Sequence, residues 1–165
     1  MKKPSIDALC RDFDIIQDTR EQEPFKFNRA IVQGLPFGDY TIVHNGKNYI
    51  NEIVCERKGS VSEIYALTGK ERDRFERELQ KMTVSRRRFV LCEFDYLELV
   101  QNPPPGILEP QSVYGTIISF WTRYNIPFFF MGNRANARNF LYKTFYFFVK
   151  YEILKIKHFR MKNFL

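Results

Sequence analysis

Cysteine, histidine and tryptophan are scarce: the 165 residues include three cysteines, two histidines and one tryptophan. Cys10, Cys55 and Cys92 lie far apart and form no Cys-x-x-Cys pair. Cys55 and Cys92 stand inside apolar runs and read as small buried residues, which argues against a disulfide framework and against zinc. His44 and His158 make no ligand pair. Met1-Lys2-Lys3-Pro4 leads into Asp7 and Arg11 with no apolar core, so no secretory signal is read. No stretch is apolar for long enough to span a membrane, since Phe140–Val149 is interrupted by Tyr142, Lys143 and Thr144. Internal repeats and low-complexity segments are lacking too. The simplest home is a reducing cytoplasm, or the nucleus if the host is eukaryotic.

What is present is ordinary for a soluble domain: 44% hydrophobic and 27% charged residues. The length suits one domain with one substantial core, expected over about residues 12–150 of 1–165, followed by a basic tail at 151–165. The net charge is +7 and the pI about 9.4. A basic surface suits a polyanion, though it serves an acidic membrane or solubility equally well.

The pattern of residues predicts the elements. Asp14-Ile15-Ile16-Gln17 reads as a first strand, and Glu21–Phe37, with Pro24, Gly34 and Pro36, as a loop. Tyr40–His44 and Tyr49–Lys58 read as strands flanking Asn45-Gly46, a hairpin signal. Val61–Met82 reads as helix with Phe75, Leu79 and Met82 on one face. Phe89–Phe94 reads as strand, and Asn102-Pro103-Pro104-Pro105-Gly106 as a surface loop. Val113, Ile117, Phe120, Trp121 and Tyr124 recur at helical spacing. Pro127–Met131 reads as strand and Arg134–Tyr151 as a last helix. Its stripe is Ala137, Leu141, Thr144, Phe148 and Tyr151, widened by Phe140, Phe145 and Phe147, and suits a core or a dimer interface. Strands first, then alternating helix and strand, imply an α/β domain with a mixed central β-sheet flanked by helices.

The chemistry-bearing residues form three short groups: Asp18-Thr19-Arg20-Glu21, Gly38-Asp39-Tyr40 and Glu56-Arg57-Lys58. Clustered carboxylates repel one another unless a cation joins them, and hard oxygen ligands favour Mg²⁺ or Mn²⁺. A metal that holds a phosphate oxygen and activates a water suits phosphodiester hydrolysis. In a strand, Glu56 and Lys58 share a face and Arg57 points the opposite way. The acid would ligate the metal, and the lysine would help position or deprotonate the water. Asp39 and Glu56 are the expected metal ligands, with Asp18 a third. Asp18 either completes that site or caps the next turn. Arg20 either grips a phosphate or pairs with Glu21 or Glu23.

One tension concerns register. A two-residue Asn45-Gly46 turn would set Asp39 opposite Glu52. For Asp39 to meet Glu56 the strand must bulge, or the turn must be longer and centred near Lys47-Asn48; the longer turn is expected. Glu52 is the rival ligand if the tight turn forms. Two basic clusters could track a nucleic-acid backbone: Arg72, Arg74 and Arg77, then Arg86, Arg87 and Arg88. The tail, with Lys155, Lys157, Arg160 and Lys162, adds a third or is a frayed terminus.

The order Asp18-x-Arg20-Glu21, Gly38-Asp39-Tyr40, Glu56-Arg57-Lys58 resembles the nuclease domain of the XPF family of structure-specific DNA endonucleases, which includes the archaeal Hef nuclease. That family's signature is GDx(n)ERKxxxD. The likeness extends through Phe75-Glu76-Arg77-Glu78-Leu79, the Trp121 helix and Ile126-Pro127-Phe128-Phe129-Phe130. It implies a restriction-endonuclease-like fold of the PD-(D/E)xK type and a Mg²⁺- or Mn²⁺-dependent endonuclease acting on branched or flap DNA. It implies Asp39 and Glu56 as metal ligands, Lys58 beside the water, Arg57 in support, and Asp18, Arg20 and Glu21 completing the site. The acid that the family places four residues past the lysine is Ser62 here; Glu63, one further on, is the candidate substitute. The helix-hairpin-helix and helicase domains of many relatives find no room in this sequence, so grip on DNA would come from this domain, a homodimer or a DNA-binding partner. The alternatives are a catalytically silent DNA-binding or scaffolding module of the same fold, and an RNA-directed nuclease.

Overall fold

The computed structural model of the protein describes residues 5–106 and 108–153. The basic tail residues Lys155, Lys157, Arg160 and Lys162 lie outside them. A seven-stranded mixed sheet forms the centre. Its strands are β1 (Asp14–Gln17), β2 (Ala30–Val32), β3 (Tyr40–His44), β4 (Lys47–Asn48), β5 (Ile53–Lys58), β6 (Arg87–Cys92) and β7 (Phe128–Phe130). The order across the sheet is β2-β1-β3-β5-β6-β7, with β4 continuing the β3 hairpin. β1 and β5 each pair antiparallel with β3, whereas β2 runs parallel to β1 and β5, β6 and β7 run parallel to one another.

The helices are α1 (Ile6–Cys10), α2 (Val61–Thr68), α3 (Arg72–Met82), α4 (Tyr96–Gln101), α5 (Pro110–Tyr124) and α6 (Arg134–Phe148), the last running into a π-helical turn, Val149–Ile153. One sheet face packs Val54 and Val90 against Ile64, Phe75, Leu79 and Phe120 from α2, α3 and α5. The other packs Ile15, Ile42 and Leu91 against Leu141 and Phe145 from α6. Covered on both faces, β5 is buried along all six residues, so its Glu56, Arg57 and Lys58 need partners inside the protein.

The α/β architecture and mixed sheet agree with the sequence, as do β1, β3, α5 and β7. Several elements differ. The Val61–Met82 helix breaks at Gly69, where an added Cβ would lie 2.7 Å from Leu108 Cδ1 and 3.1 Å from the Tyr65 carbonyl. β2 forms inside the stretch read as a loop; it is a three-residue edge strand, Ala30-Ile31-Val32, too short to show alternation, and all three residues are exposed. α4, short and capped by Asp95 accepting from the Glu98 amide at 2.7 Å, was not anticipated. Trp121 lies 51% exposed although its neighbour Phe120 is fully buried. The three cysteines are buried free thiols. Among the described residues, no helix is long and apolar enough to cross a membrane.

The register question resolves against the longer turn. Asn45-Gly46 makes the tight turn, with both residues at positive φ. Val43 faces Asn48, so an unbroken ladder would bring Tyr40 to Asn51; Tyr40 faces Cys55 instead, four residues on. Tyr49–Glu52 supply those four residues as a turn closed by the Glu52 and Ile53 amides, both donating to the Tyr49 carbonyl. The offset is even, so side chains keep their faces and Glu56 takes the place that Glu52 would have had. Glu52 therefore lies away from Asp39, although the tight turn is real.

Gly38, just before Asp39, has φ +69, and a Cβ added to it would overlap Val54 Cγ2 and lie 3.2 Å from the Cys55 carbonyl oxygen. Gly38→Ala combines left-handed strain with overpacking and is expected to lower the unfolding free energy by roughly 2–4 kcal/mol. Denaturant unfolding monitored by circular dichroism checks this; an unchanged midpoint would remove Gly38 from the constraints on Asp39.

Candidate active site

The ends of β1, β3 and β5 meet at one edge of the sheet. The Asp39 amide donates to the Cys55 carbonyl at 2.9 Å, and the Asp18 amide donates to the Asp39 carbonyl at 2.8 Å. Beyond that ladder, Asp39 Oδ2 accepts from the Arg57 amide at 2.7 Å. Glu56 Oε1 accepts from Lys58 Nζ at 2.7 Å, as strand alternation requires. The Lys58 ammonium also sits 5.2 Å above the Phe75 ring of α3. An open cleft of about 360 Å³ exposes Arg20, Glu21, Asp39, Arg57 and Lys58, joined by Glu63 and Arg74.

Burial pushes the Asp39 carboxyl well above the ordinary aspartate range, and the neighbouring Glu56 adds to the push; Lys58 and the Arg57 amide oppose it. For Lys58, burial alone would lower the ammonium's pKa, but Glu56 and Asp39 outweigh it and the net shift is upward. Two acids facing one lysine leave a site where a further cation is electrostatically favoured.

Asp18 does something else. Its Oδ1 accepts from the Arg20 amide at 2.8 Å and Arg20 Nε at 2.6 Å, and its Oδ2 accepts from the Leu35 amide at 2.5 Å. With both oxygens committed, Asp18 caps the turn and aims Arg20, whose Nη2 also donates to the Leu35 carbonyl at 3.1 Å. Of the two alternatives for Asp18, these contacts support the turn cap over the third metal ligand. Among the described residues, no group of three or more His, Cys, Asp or Glu side chains is arranged to hold a metal. Asp39 and Glu56 are the two carboxylates that could share a cation here. Such a pair would suit Mg²⁺, which keeps several waters and is commonly held by one or two carboxylates together with substrate phosphate. Glu63 caps α2 by accepting from the Gly59 amide at 3.0 Å.

Arg57, on the opposite face of β5, donates from Nε to Glu93 at 2.5 Å and from Nη1 to Glu21 at 3.0 Å. Arg134, at the start of α6, donates to the same Glu93 oxygen at 2.7 Å and to the carbonyls of Glu23 and Pro24 at 2.8 and 2.9 Å. The Phe25 ring lies 5.5 Å from the Arg57 guanidinium and 5.0 Å from that of Arg134. Glu21 is therefore held by this clamp and not by a local pair with Arg20. The sequence reading missed Glu93 and Arg134. Glu93 follows directly on β6, and its amide donates to the Lys58 carbonyl at 3.0 Å; an acid just past a strand parallel to Glu56-Arg57-Lys58 was the available signal.

The arginine clusters separate. Arg74 reaches the cleft while paired with Glu71. Arg72 packs over Phe120, and Arg77 is exposed on α3. Arg86, Arg87 and Arg88 lie at the start of β6, the far end of the sheet from Lys58. Arg88 donates to the carbonyls of Tyr124, Ser85 and Thr83, and Arg87 packs over Phe148. These two arginines tie the fold together where a phosphate-tracking run was expected.

A family model, the ERCC4 domain, matches residues 17–144. The chain belongs to the ERCC4 domain family. This bears out the XPF-type resemblance read from its residues. Two solved structures are similar in fold. XPF from Aeropyrum pernix gives a TM-score of 0.60 at 15% identity, over 81% of this chain and 59% of that one. XPF from Aeropyrum pernix in complex with DNA gives 0.59 at 16% identity, over 80% of this chain and 62% of that one. The chain spans about three-fifths of the length of these structures. No curated protein matches it. The likeness establishes the restriction-endonuclease-like fold for this ERCC4 domain.

Two outcomes follow for the ERCC4 domain. Glu93 is 9% and Arg57 6% exposed at the side chain, so Glu93→Gln leaves the buried Arg57 with Glu21 as its remaining close partner and is expected to cost about 2–3 kcal/mol of stability. Arg134, 43% exposed, is expected to cost only about 1–2 kcal/mol on change to Gln. Equal losses in denaturant unfolding would remove Glu93 as the centre of the clamp. For Asp18, burial acts to raise the carboxyl, but hydrogen bonds from Arg20 and Leu35 prevail and hold it below its usual value. A depressed carboxyl stabilises the fold above its unfolded pKa and loses that contribution as pH falls through the folded value. Asp18→Asn should therefore be destabilised at neutral pH, with the gap to wild type narrowing on acidification; a pH-independent gap would refute the carboxylate's role.

Proposed function

We propose that this ERCC4 domain is a metal-dependent DNA endonuclease that hydrolyses phosphodiesters at branched or flap structures. The observation that carries the reading is an open cleft lined by Asp39 and Lys58, with Glu56 buried behind it and bonded to Lys58, on a chain of this family. Asp39 and Glu56 would hold Mg²⁺ or Mn²⁺, which supplies Lewis-acid polarisation of the phosphate and activation of the attacking water. Lys58 sets a positive charge beside that point, where negative charge develops on the phosphate. Arg20, aimed by Asp18, grips the flanking phosphate. Arg57 and Glu21 act from behind the strand by fixing the 21–25 loop, and Arg74 offers a second phosphate contact. The relative solved in complex with DNA supports DNA as the substrate. A homodimer or a DNA-binding partner would extend the grip on duplex, and the cytoplasm, or a eukaryotic nucleus, would be the working compartment.

The test is cleavage of labelled duplex, single strand, flaps of both polarities, splayed arms and RNA, with Mg²⁺ and in excess chelator. Cutting is expected only with metal and best at a branch point. Cleavage that persists in chelator, or that prefers RNA, would overturn the reading. Asp39→Asn and Lys58→Ala should each lose roughly 10³-fold in turnover, about 4 kcal/mol in barrier, while still binding DNA. Wild-type turnover by either folded variant would refute the assignment of the site.

A further inference from the structure

A second concavity lies on the other face of the sheet, beside the β1–β2 edge. It encloses about 390 Å³ between β1, the segment 26–29 and α6. Its walls are aromatic. Phe13 and Tyr142 meet with ring centroids 5.6 Å apart, and Phe27 stands edge-on to Phe25 at 6.1 Å. Cations and amides complete the lining: Arg11, Lys26, Arg29 and Arg138 with Asn28 and Asn139, and no carboxylate. Arg29 is spoken for by Asp12 and Asp14, each at 2.7 Å, and Arg11 by Asp7 at 3.0 Å. Lys26 and Arg138 have no carboxylate partner among the described residues, and both are exposed.

This lining has the complementarity of one nucleotide. Flat aromatic walls take an unstacked base, side-chain amides take its polar edge, and unneutralised cations take its phosphate. The volume is at the lower end of small-ligand sites, about 300–1,000 Å³, and matches a single unit better than a duplex. Chain connectivity ties the pocket to the cutting cleft. Glu21, Gln22 and Glu23 line the cleft, and the same loop continues into Lys26–Arg29. Along β1, Ile15 lines the pocket and Asp18 braces Arg20, about 10 Å further on at strand rise. The cleft opens at the end of the sheet, with Asp39 and Lys58 on one face and Arg57 on the other, and the pocket lies on the α6 face, so a strand reaching both would run along the 21–29 loop and leave the duplex.

We propose that the Phe27–Tyr142 pocket holds an unpaired nucleotide of the single-stranded arm that diverges from the cleaved duplex. The inference rests on DNA being the substrate. It assigns binding roles to Lys26, Phe27, Arg138, Asn139 and Tyr142 that the cleavage chemistry does not require.

The test is binding in chelator, where nothing is cut. Fluorescein-labelled oligothymidylate is titrated into the full chain and followed by anisotropy. Three variants are compared: Lys26→Glu/Arg138→Glu, Phe27→Ala, and Lys47→Glu/Lys70→Glu as a control with the same change in charge away from the pocket. Thermal melts confirm folding; the charge variants alter exposed side chains only. The pocket double variant and Phe27→Ala are expected to weaken oligothymidylate binding roughly tenfold or more, beyond any effect of the control. Crosslinking of 4-thiothymidine in the oligonucleotide should map to peptides containing Phe27 or Tyr142. Equal losses in pocket and control variants, or crosslinks confined to other peptides, would overturn the proposal. Displacement of the oligonucleotide by thymidine monophosphate at equal nucleotide concentration would overturn the strand in favour of a free nucleotide. A protein that passes this test but cuts nothing refutes the nuclease reading alone; one that cuts flaps but shows equal losses refutes the pocket alone.

Discussion

Two carboxylates, the buried Glu56 and the half-buried Asp39, sit side by side at the end of a sheet beside one buried lysine. Like charges in that position repel, and burial pushes the Asp39 carboxyl up. Lys58, 2.7 Å from Glu56, offsets part of it, and the Arg57 amide at Asp39 offsets more. The rest of the fold can be read as what keeps this unfavourable pair together. The sheet supplies hydrogen bonds that fix the backbone of β3 against β5. Gly38 supplies the left-handed step into Asp39, and the four-residue turn at Tyr49–Glu52 sets which glutamate arrives. Strain and like-charge repulsion concentrated at one edge of an otherwise well-packed sheet are the expected signature of a site kept for chemistry.

The alternation of β5 divides the labour between its faces. Glu56 and Lys58 share one face, Lys58 lying over Phe75, while Arg57 on the other face gathers Glu21, Glu93 and Arg134 around Phe25. The second group touches no reacting atom. It pins the 21–25 loop, which carries the cleft's outer wall, to the sheet and to the start of α6. A single tripeptide thus supplies both the reactive charges and the anchor for the loop beside them. The anchor is dry, with Arg57 and Glu93 under a tenth exposed, so its members depend on one another more than surface ion pairs would.

Much of this was legible in the sequence, and the reasons for the exceptions are physical. Glu56 and Lys58 sharing a face follows from strand periodicity alone, and the apolar spacing of α3 and α5 marked their buried sides. The partner of Asp39 was not legible by counting from Asn45-Gly46, because the turn at Tyr49–Glu52 carries no glycine or proline to announce it. Asp18 was ambiguous for a different reason. A carboxylate two residues before an arginine can ligate a metal or cap a turn, and only the distant Leu35 amide decides between them. Glu93 and Arg134 escaped notice because their partners lie 36 and 41 residues away along the chain, beyond any local pattern. β2 escaped because an exposed edge strand has no buried face to impose alternation.

Net charge, finally, describes this surface poorly. The excess of +7 suggests a broad basic footprint, yet many arginines are consumed internally. Arg88 caps carbonyls, Arg57 and Arg134 build the clamp, Arg29 and Arg11 pair with nearby aspartates, and Arg123 pairs with Glu76. Among the described residues, cations border three open concavities, one of them, lined by Arg87 and Lys143 beside α6, mostly apolar. Arg20, Lys58 and Arg74 border the cleft, and Lys26 and Arg138 border the aromatic pocket. Counterion release depends on cations that meet phosphates, so binding by the described domain should reflect these placements and not the total. A polyanion engaging both cleft and aromatic pocket would run along the 21–29 loop, which borders each of them, a path that suits a flexible single strand better than a stiff duplex.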